Sequence, residues 1–263
     1  MNFHSLVKAS AGALAVVLLA IGSAHAQTLD ATYYTIAESD PDMNYLPCCS
    51  TYTYNLAQTT LGPDGLPLYN SAWTSNIGGV NGTGTPLHDV NANGEITWWS
   101  TTNPDVTVNS GCAPTITLTG GTYYNGGEFP PCGTGGGDGN GFQAAVFTAT
   151  LTPATTENVS FAVGADDTEF VYLNGQIVCQ VGGVHGESPG VCTTGVLNAG
   201  SANSLEIFYS DIHTTGASFQ FTMDTSNVVI TPPPPPPSVP EPATLTLLGL
   251  GLAGIGFARR RRQ

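Results

Sequence analysis

Between Ala9 and Ala258 this 263-residue chain contains no lysine and no arginine. Lys8 precedes that stretch, and Arg259, Arg260, Arg261 and Arg262 follow it. The formal net charge is −14 and charged residues make up 9% of the chain, against about 25% in soluble domains generally. A stretch without cationic side chains cannot neutralise phosphates, which excludes nucleic acid as a partner. It also offers no P-loop lysine, arginine finger or Schiff-base lysine. Its carboxylates lack salt-bridge partners, so they face water, accept hydrogen bonds or hold a cation. A sustained 3.6-residue apolar period is missing too, which argues against a helical domain. No H-E-x-x-H and no C-x-x-C occurs, so zinc-peptidase and zinc-finger chemistry has no support.

The ends read as addresses. Residues 1–26 form a secretory signal: Lys8, a short apolar run at 11–21 and an A-x-A cleavage pattern at Ala24-His25-Ala26. The mature chain would start at Gln27. At the other end, six prolines (232–237) form a stiff spacer within the linker 232–238. Residues 239–263 then carry Pro240-Glu241-Pro242, an apolar segment at 243–258 and the four arginines. As a helix that segment is roughly 24 Å long, short of the ~30 Å hydrocarbon core. Such a helix spans by thinning the bilayer, with its arginines held on the cytoplasmic side. The order Pro-Glu-Pro, short helix, arginine cluster closely resembles the PEP-CTERM sorting signal. The resemblance implies export by a Gram-negative bacterium, transient inner-membrane anchoring and exosortase processing near Pro240-Glu241-Pro242. It also implies a final place at the cell surface or in the extracellular matrix of a biofilm.

The mature part, 27–231, reads as one all-β domain, an antiparallel sandwich or partly closed barrel. Residues 147–152 and 219–224 alternate apolar and polar with period two. Further strands are expected at 159–163, 170–173, 176–181 and 205–209. Asn174-Gly175 suits a type I′ hairpin turn, in which both central residues take positive φ. Residues 31–124 are read as strands and long loops of the same domain.

Six cysteines fit an exported protein. Fifteen pairings are possible. Cys179 and Cys192 flank a Gly-rich loop and are the first expected disulfide. Cys112 with Cys132 is the second, leaving vicinal Cys48 and Cys49.

Asp166 and Asp167 are the centre of chemical interest. Adjacent carboxylates repel by ~1 kcal/mol in water and ~4 kcal/mol at an effective dielectric of 20. Either both are solvated in a turn, or a hard cation such as Ca²⁺ lies between them. Several motifs occur together here in a set order. They are Asp166-Asp167, Val171-Tyr172-Leu173-Asn174-Gly175, Gly182-Gly183-Val184-His185-Gly186, Ile207-Phe208-Tyr209 and the stretch from His213 to Phe219. Over residues 142–225 they resemble the fibro-slime domain, a relative of the protective-antigen-type lectin domain. In lectin members of that wider family the paired Asp, joined by a cis peptide, binds Ca²⁺, which in turn binds sugar hydroxyls. The resemblance thus implies Asp166 and Asp167 as Ca²⁺ ligands. Gln180 stands where the family carries an acid, and Ile212 where it carries an arginine.

His185 and His213 lie on matched motifs, with Asp211 the acid nearest His213. All three are candidates at the ligand site, while backbone bonding is the alternative role for each imidazole. A second, weaker Ca²⁺ site is Asp89, Asn91 and Asn93, which with Gly94 match the first half of an EF-hand loop. Position twelve is Ser100 rather than Glu. Gly186-Glu187-Ser188-Pro189-Gly190 fits the G-x-S-x-G pattern of a nucleophile elbow. Pro189 lacks the N–H that the oxyanion hole requires, so a hydrolase reading fails.

The resulting expectation is a non-enzymatic surface or matrix protein that binds extracellular polysaccharide or another glycan with Ca²⁺. A purely structural matrix protein and a glycosidase are the alternatives. For a glycosidase, eighteen carboxylates (nineteen in the chain, less Glu241) are available, but no motif selects a pair.

Overall fold

The computed structural model describes residues 27–43, 55–71, 87–126, 129, 141–213, 216–224 and 228–231. The leader, the polyproline spacer, the sorting signal with its apolar segment, and Cys48, Cys49 and Cys132 lie outside the described residues. Among those described there is no helix, and none long and apolar enough to cross a membrane. There are strands only, and every pairing is antiparallel.

In chain order the strands begin with β1 (Gln27–Ile36), β2 (Ala57–Leu61), β3 (Pro67–Tyr69), β4 (Val106–Val108), β5 (Thr115–Leu118) and β6 (Thr122–Asn125). They continue with β7 (Phe142–Pro153), β8 (Glu157–Asp166), β9 (Thr168–Leu173), β10 (Gln176–Val181) and β11 (Ser188–Pro189). The last are β12 (Val191–Cys192), β13 (Gly195–Leu197), β14 (Asn203–Ser210), β15 (Ser218–Asp224) and β16 (Val228–Thr231). An 11-stranded sheet runs β3-β2-β10-β9-β14-β7-β1-β4, with β12, β16 and β5 added to β10, β7 and β1. A 5-stranded sheet runs β11-β8-β15-β6, with β13 beside β8. The all-β, antiparallel expectation holds.

Period-two alternation decides which core each residue enters. On β14, Leu205, Ile207 and Tyr209 face the smaller sheet, and Phe208 faces the other way. On β7, Phe147, Ala149 and Leu151 join the first core, and Phe142 and Ala144 the second. The first core contains Phe147 stacked on Phe219 with ring centres 4.8 Å apart. The second is roofed by the segment that holds Trp98 and Trp99, with Trp99 set edge-on to Phe208 at 5.2 Å. Because the large sheet is covered on both faces, all six residues of β9 are buried. That explains why Phe170–Leu173 reads as a continuous apolar run rather than an alternation.

The expected hairpin is present. Asn174 and Gly175 take φ of +53° and +71°, and Leu173 pairs with Gln176. Cys179 and Cys192 are direct cross-strand partners and form a disulfide. Cys112 is also disulfide-bonded; its expected partner, Cys132, is outside the described residues. The first half of the domain supplies β1, a central strand that pairs with β7, β4 and β5.

One row of residues crosses the large sheet: Tyr34 on β1, Ala144 on β7, Ser210 on β14 and Thr168 on β9. The end of β1, the end of β14 and the β8–β9 junction therefore open at the same end of the sheet.

Candidate functional site

The β8–β9 junction is where the chain passes from the small sheet to the large one. Asp166 is the last residue of β8 and pairs with Ser218 on β15. Thr168 opens β9 beside Ser210. The peptide bond between Asp166 and Asp167 is cis. Asp167 is 0% exposed, so the solvated-turn alternative does not describe it. Its Oδ1 accepts the backbone N–H of His185 at 2.8 Å, and its Oδ2 accepts that of Ile212 at 2.9 Å. Burial pushes its carboxyl well above the usual range, and the charge of Asp166 adds to this against those two hydrogen bonds. Asp166 is half-buried, and burial, with Glu187 nearby, raises it to about 7. The hydroxyl of Tyr209 donates to the Asp166 carbonyl at 2.6 Å.

Gly216 lies against the Asp166 carboxylate. Its φ is +78°, and a Cβ there would stand 2.7 Å from Asp166 Oδ2. A residue with a side chain would be strained and would push the carboxylate away. On the outer side, Glu187 accepts a hydrogen bond from the Tyr124 hydroxyl at 3.1 Å. Tyr124 is 56% exposed. The ladder β6-β15-β8-β11 sets Tyr124 and Ser188 on strands of the same small sheet as Asp166.

His185, Asp211 and His213 are interior groups, at 3%, 1% and 3% exposure. Asp211 interacts with the Asp167 side chain, so it lies beside the pair, and the two imidazoles are packed under the same loops. His185 Nδ1 faces the Gly186 carbonyl at 2.9 Å, the backbone-bonding role. Burial lowers its pKa. Asp211 Oδ1 accepts the His213 N–H at 3.2 Å, and the Asp211 N–H donates to Gln143 O at 2.9 Å. Together these bonds fix the two loops whose N–H groups hold Asp167.

The EF-hand-like match separates into two places. Asn91 Oδ1 accepts the N–H groups of Asn93 and Glu95, at 2.9 and 3.0 Å. Its Nδ2 donates to Glu95 Oε2 at 2.7 Å, and Asn93 Nδ2 donates to Asp64 Oδ2 at 3.1 Å. Burial alone would raise Glu95, but hydrogen bonds from Asn91 and the Asp64 segment outweigh it and hold the carboxyl below its usual range. Asn91 and Asn93 thus brace a turn stitched to the 62–66 loop. Asp89 sits instead with Asp40 and Asp42, residues that the sequence reading did not select. Asp40-Pro41-Asp42 is an acid pair in a cation-free stretch, which was the available signal. Burial pushes Asp89 up to about 8, and raises Asp40 as well.

The G-x-S-x-G stretch forms the short edge strand β11, paired with Ala165 and Gly164. Ser188 Oγ donates to Gly186 O at 2.8 Å. No strand-to-helix elbow is present. Glu169, fully buried on β9, was also not anticipated; burial raises it well above its usual range. A hollow of about 340 Å³ lies over the other face of the large sheet, lined by Tyr34, Trp99, Phe208, Glu206, Asp64 and Asn91.

Residues 238–262 match the PEP-CTERM protein-sorting motif. That motif implies export and exosortase-dependent sorting to the envelope or surface of a Gram-negative bacterium. No curated protein matches the chain. Among solved structures it is similar to the PA14 domain of the antifreeze protein MpAFP, with 11% identity, TM-score 0.30, 37% of this chain and 56% of that one. It is also similar to a PA14 sugar-binding domain from an RTX adhesin, with 20% identity, TM-score 0.31, 44% of this chain and 74% of that one. A third is a beta-glucosidase from Kluyveromyces marxianus in complex with glucose, with 14% identity, TM-score 0.27, 33% of this chain and 11% of that one. The match thus spans 56% of the antifreeze-protein domain and 11% of the glucosidase.

Proposed function

We propose that the chain is an exported, exosortase-sorted protein of the cell surface or extracellular matrix. In this reading its β-domain binds extracellular polysaccharide or another glycan through Ca²⁺ held by Asp166 and Asp167. The observation that carries the binding reading is the Asp166–Asp167 pair itself. One carboxylate is completely buried and oriented by two backbone N–H groups, and the other is half-open beside a glycine that leaves it room. The donors are all oxygen, and no lysine or arginine is available to neutralise them, which fits a hard cation. Each Asp167 oxygen accepts one backbone N–H, and the Asp166 and Asp211 side chains lie beside this carboxylate. The bound ion would supply coordination for sugar hydroxyls. Exposed Tyr124, with Glu187 beside it, offers an aromatic face and an acceptor at the rim, the kind of groups that orient a ligand.

The test is a glycan array probed with the exported protein in calcium and in chelator, alongside Asp166→Asn combined with Asp167→Asn. The reading requires calcium-dependent glycan binding that the double variant loses. Absence of glycan binding in calcium would favour the purely structural matrix protein. Release of reducing sugar from a bound glycan would favour the glycosidase.

A further inference from the structure

We infer that Asp40, Asp42 and Asp89 form a separate divalent-cation site that ties the loop after β1 to the Trp98–Trp99 roof. One carboxylate oxygen from each residue lies within 4.8 Å of the other two. Oxygens bound to a single Ca²⁺ at about 2.4 Å are at most about 4.8 Å apart, so the three can share one ion. Asp40 and Asp42 are 3% and 1% exposed.

The hydrogen bonds account for most of these oxygens and leave out the two that matter. Asp42 Oδ1 accepts the His88 N–H at 2.8 Å and faces His88 Nδ1 at 3.1 Å. Asp42 Oδ2 accepts the Asp89 N–H at 2.9 Å and Trp98 Nε1 at 3.4 Å. Asp40 Oδ1 accepts the Asp42 N–H at 2.8 Å. Among the described residues no donor makes a hydrogen bond of good geometry to Asp40 Oδ2 or Asp89 Oδ2, although both atoms are buried; the Asp40 and Asp89 side chains face each other, with Asn103 also beside Asp89. A buried carboxylate oxygen without a donor costs its full desolvation, so a native protein gives it a proton, a water or an ion. Asp40 Oδ2, on an aspartate that is 3% exposed and grouped with two other carboxylates, is suited to ligate a cation.

The chemistry selects the class. All donors are carboxylate oxygens, which suit a hard cation, and the loop geometry from three separated positions suits Ca²⁺ better than strictly octahedral Mg²⁺. Among the described residues the basic side chain recorded against the cluster is His88, which is 53% exposed and faces Asp42. This site does not depend on Asp166 and Asp167. It also differs from an EF-hand loop, since Asp40 and Asp42 come from the loop after β1.

The experiment counts bound Ca²⁺ by calorimetry and follows Tb³⁺ luminescence excited through tryptophan, using the full exported protein. Trp98 touches Asp42, so Tb³⁺ bound there is sensitised directly. Asp166→Asn with Asp167→Asn should leave one bound Ca²⁺ and most of the luminescence. Asp40→Asn with Asp89→Asn should remove that luminescence at least tenfold and leave any Asp166–Asp167 site in place. Unchanged luminescence in the Asp40/Asp89 variant overturns the proposal. If that variant fails to fold, the Asp166/Asp167 variant decides: no bound Ca²⁺ in it overturns the proposal in favour of a shared proton. A failure of the Asp166–Asp167 reading would show instead as Ca²⁺ binding and luminescence lost only through Asp40 and Asp89.

Discussion

Replacing Gly216 by alanine tests the geometry at Asp166 with a built-in control. The substitution has two separable effects. One is backbone strain: a residue with a Cβ held at φ of +78° costs roughly 1–2 kcal/mol. The other is contact, because the new methyl lies 2.7 Å from Asp166 Oδ2. Gly200 has φ of +65° and nothing within 4 Å of its missing Cβ, so Gly200→Ala carries the strain without the contact. In chelator both variants should lose about 1–2 kcal/mol in urea denaturation followed by tryptophan fluorescence. In calcium they should part. At a hundredfold excess over Kd, binding stabilises by about 2.7 kcal/mol. A tenfold loss of affinity leaves about 1.4 kcal/mol of that increment. Gly200→Ala should keep the whole increment and Gly216→Ala about half. Any contribution from a second ion cancels in the comparison. Equal calcium increments in the two variants would refute a cation at Asp166.

Stability of the metal-free protein should fall as pH rises from about 4 to about 8. Burial raises Asp166 to about 7 and Asp89 to about 8, and raises Asp40, Asp167 and Glu169. The native state therefore keeps protons that the unfolded chain has released, which makes the slope negative. His185 and Glu95, both lowered, act in the opposite sense but are two groups against six, since burial raises Glu206 as well. Chelated protein that melts higher at about pH 8 than at about pH 5 would contradict this accounting. Replacing Cys179 and Cys192 together by serine should cost about 3 kcal/mol by loop closure, for a sequence separation of 13. The denaturation midpoint under non-reducing conditions measures it, and an unchanged midpoint counts against the bridge. Deleting residues 243–263 should release the protein from the membrane fraction; persistent membrane association would remove the anchoring role given to the tail.

Local chemistry made several features legible in the sequence. Asn174-Gly175 turned as its backbone preferences require, because positive φ at two successive residues is settled by the dipeptide itself. The strands 147–152, 159–163, 205–209 and 219–224 were readable since each has one face in the first core or alternates between two. The sorting signal was readable because three short segments in fixed order carry its meaning without any fold. The absence of lysine and arginine between Ala9 and Ala258 made the adjacent Asp166–Asp167 pair conspicuous, but it did not single out Asp40, Asp42 or Glu169.

What the tertiary structure alone decided is which acids meet. Asp89 reads locally as the head of a Ca²⁺ loop with Asn91 and Asn93, yet those two amides turn to Asp64 and Glu95. Asp89 joins Asp40 and Asp42, forty-nine and forty-seven positions away (89 − 40 and 89 − 42). That meeting depends on β1 entering the middle of the large sheet and on the Trp98–Trp99 segment folding over its second face. Burial of Asp167 is likewise a long-range result: its two N–H donors come from residues 18 and 45 positions later. Sequence spacing sets the period of a strand and the shape of a turn. Sheet order and the packing of two faces decide which carboxylates share a small volume, because contacts between distant segments have no local signature.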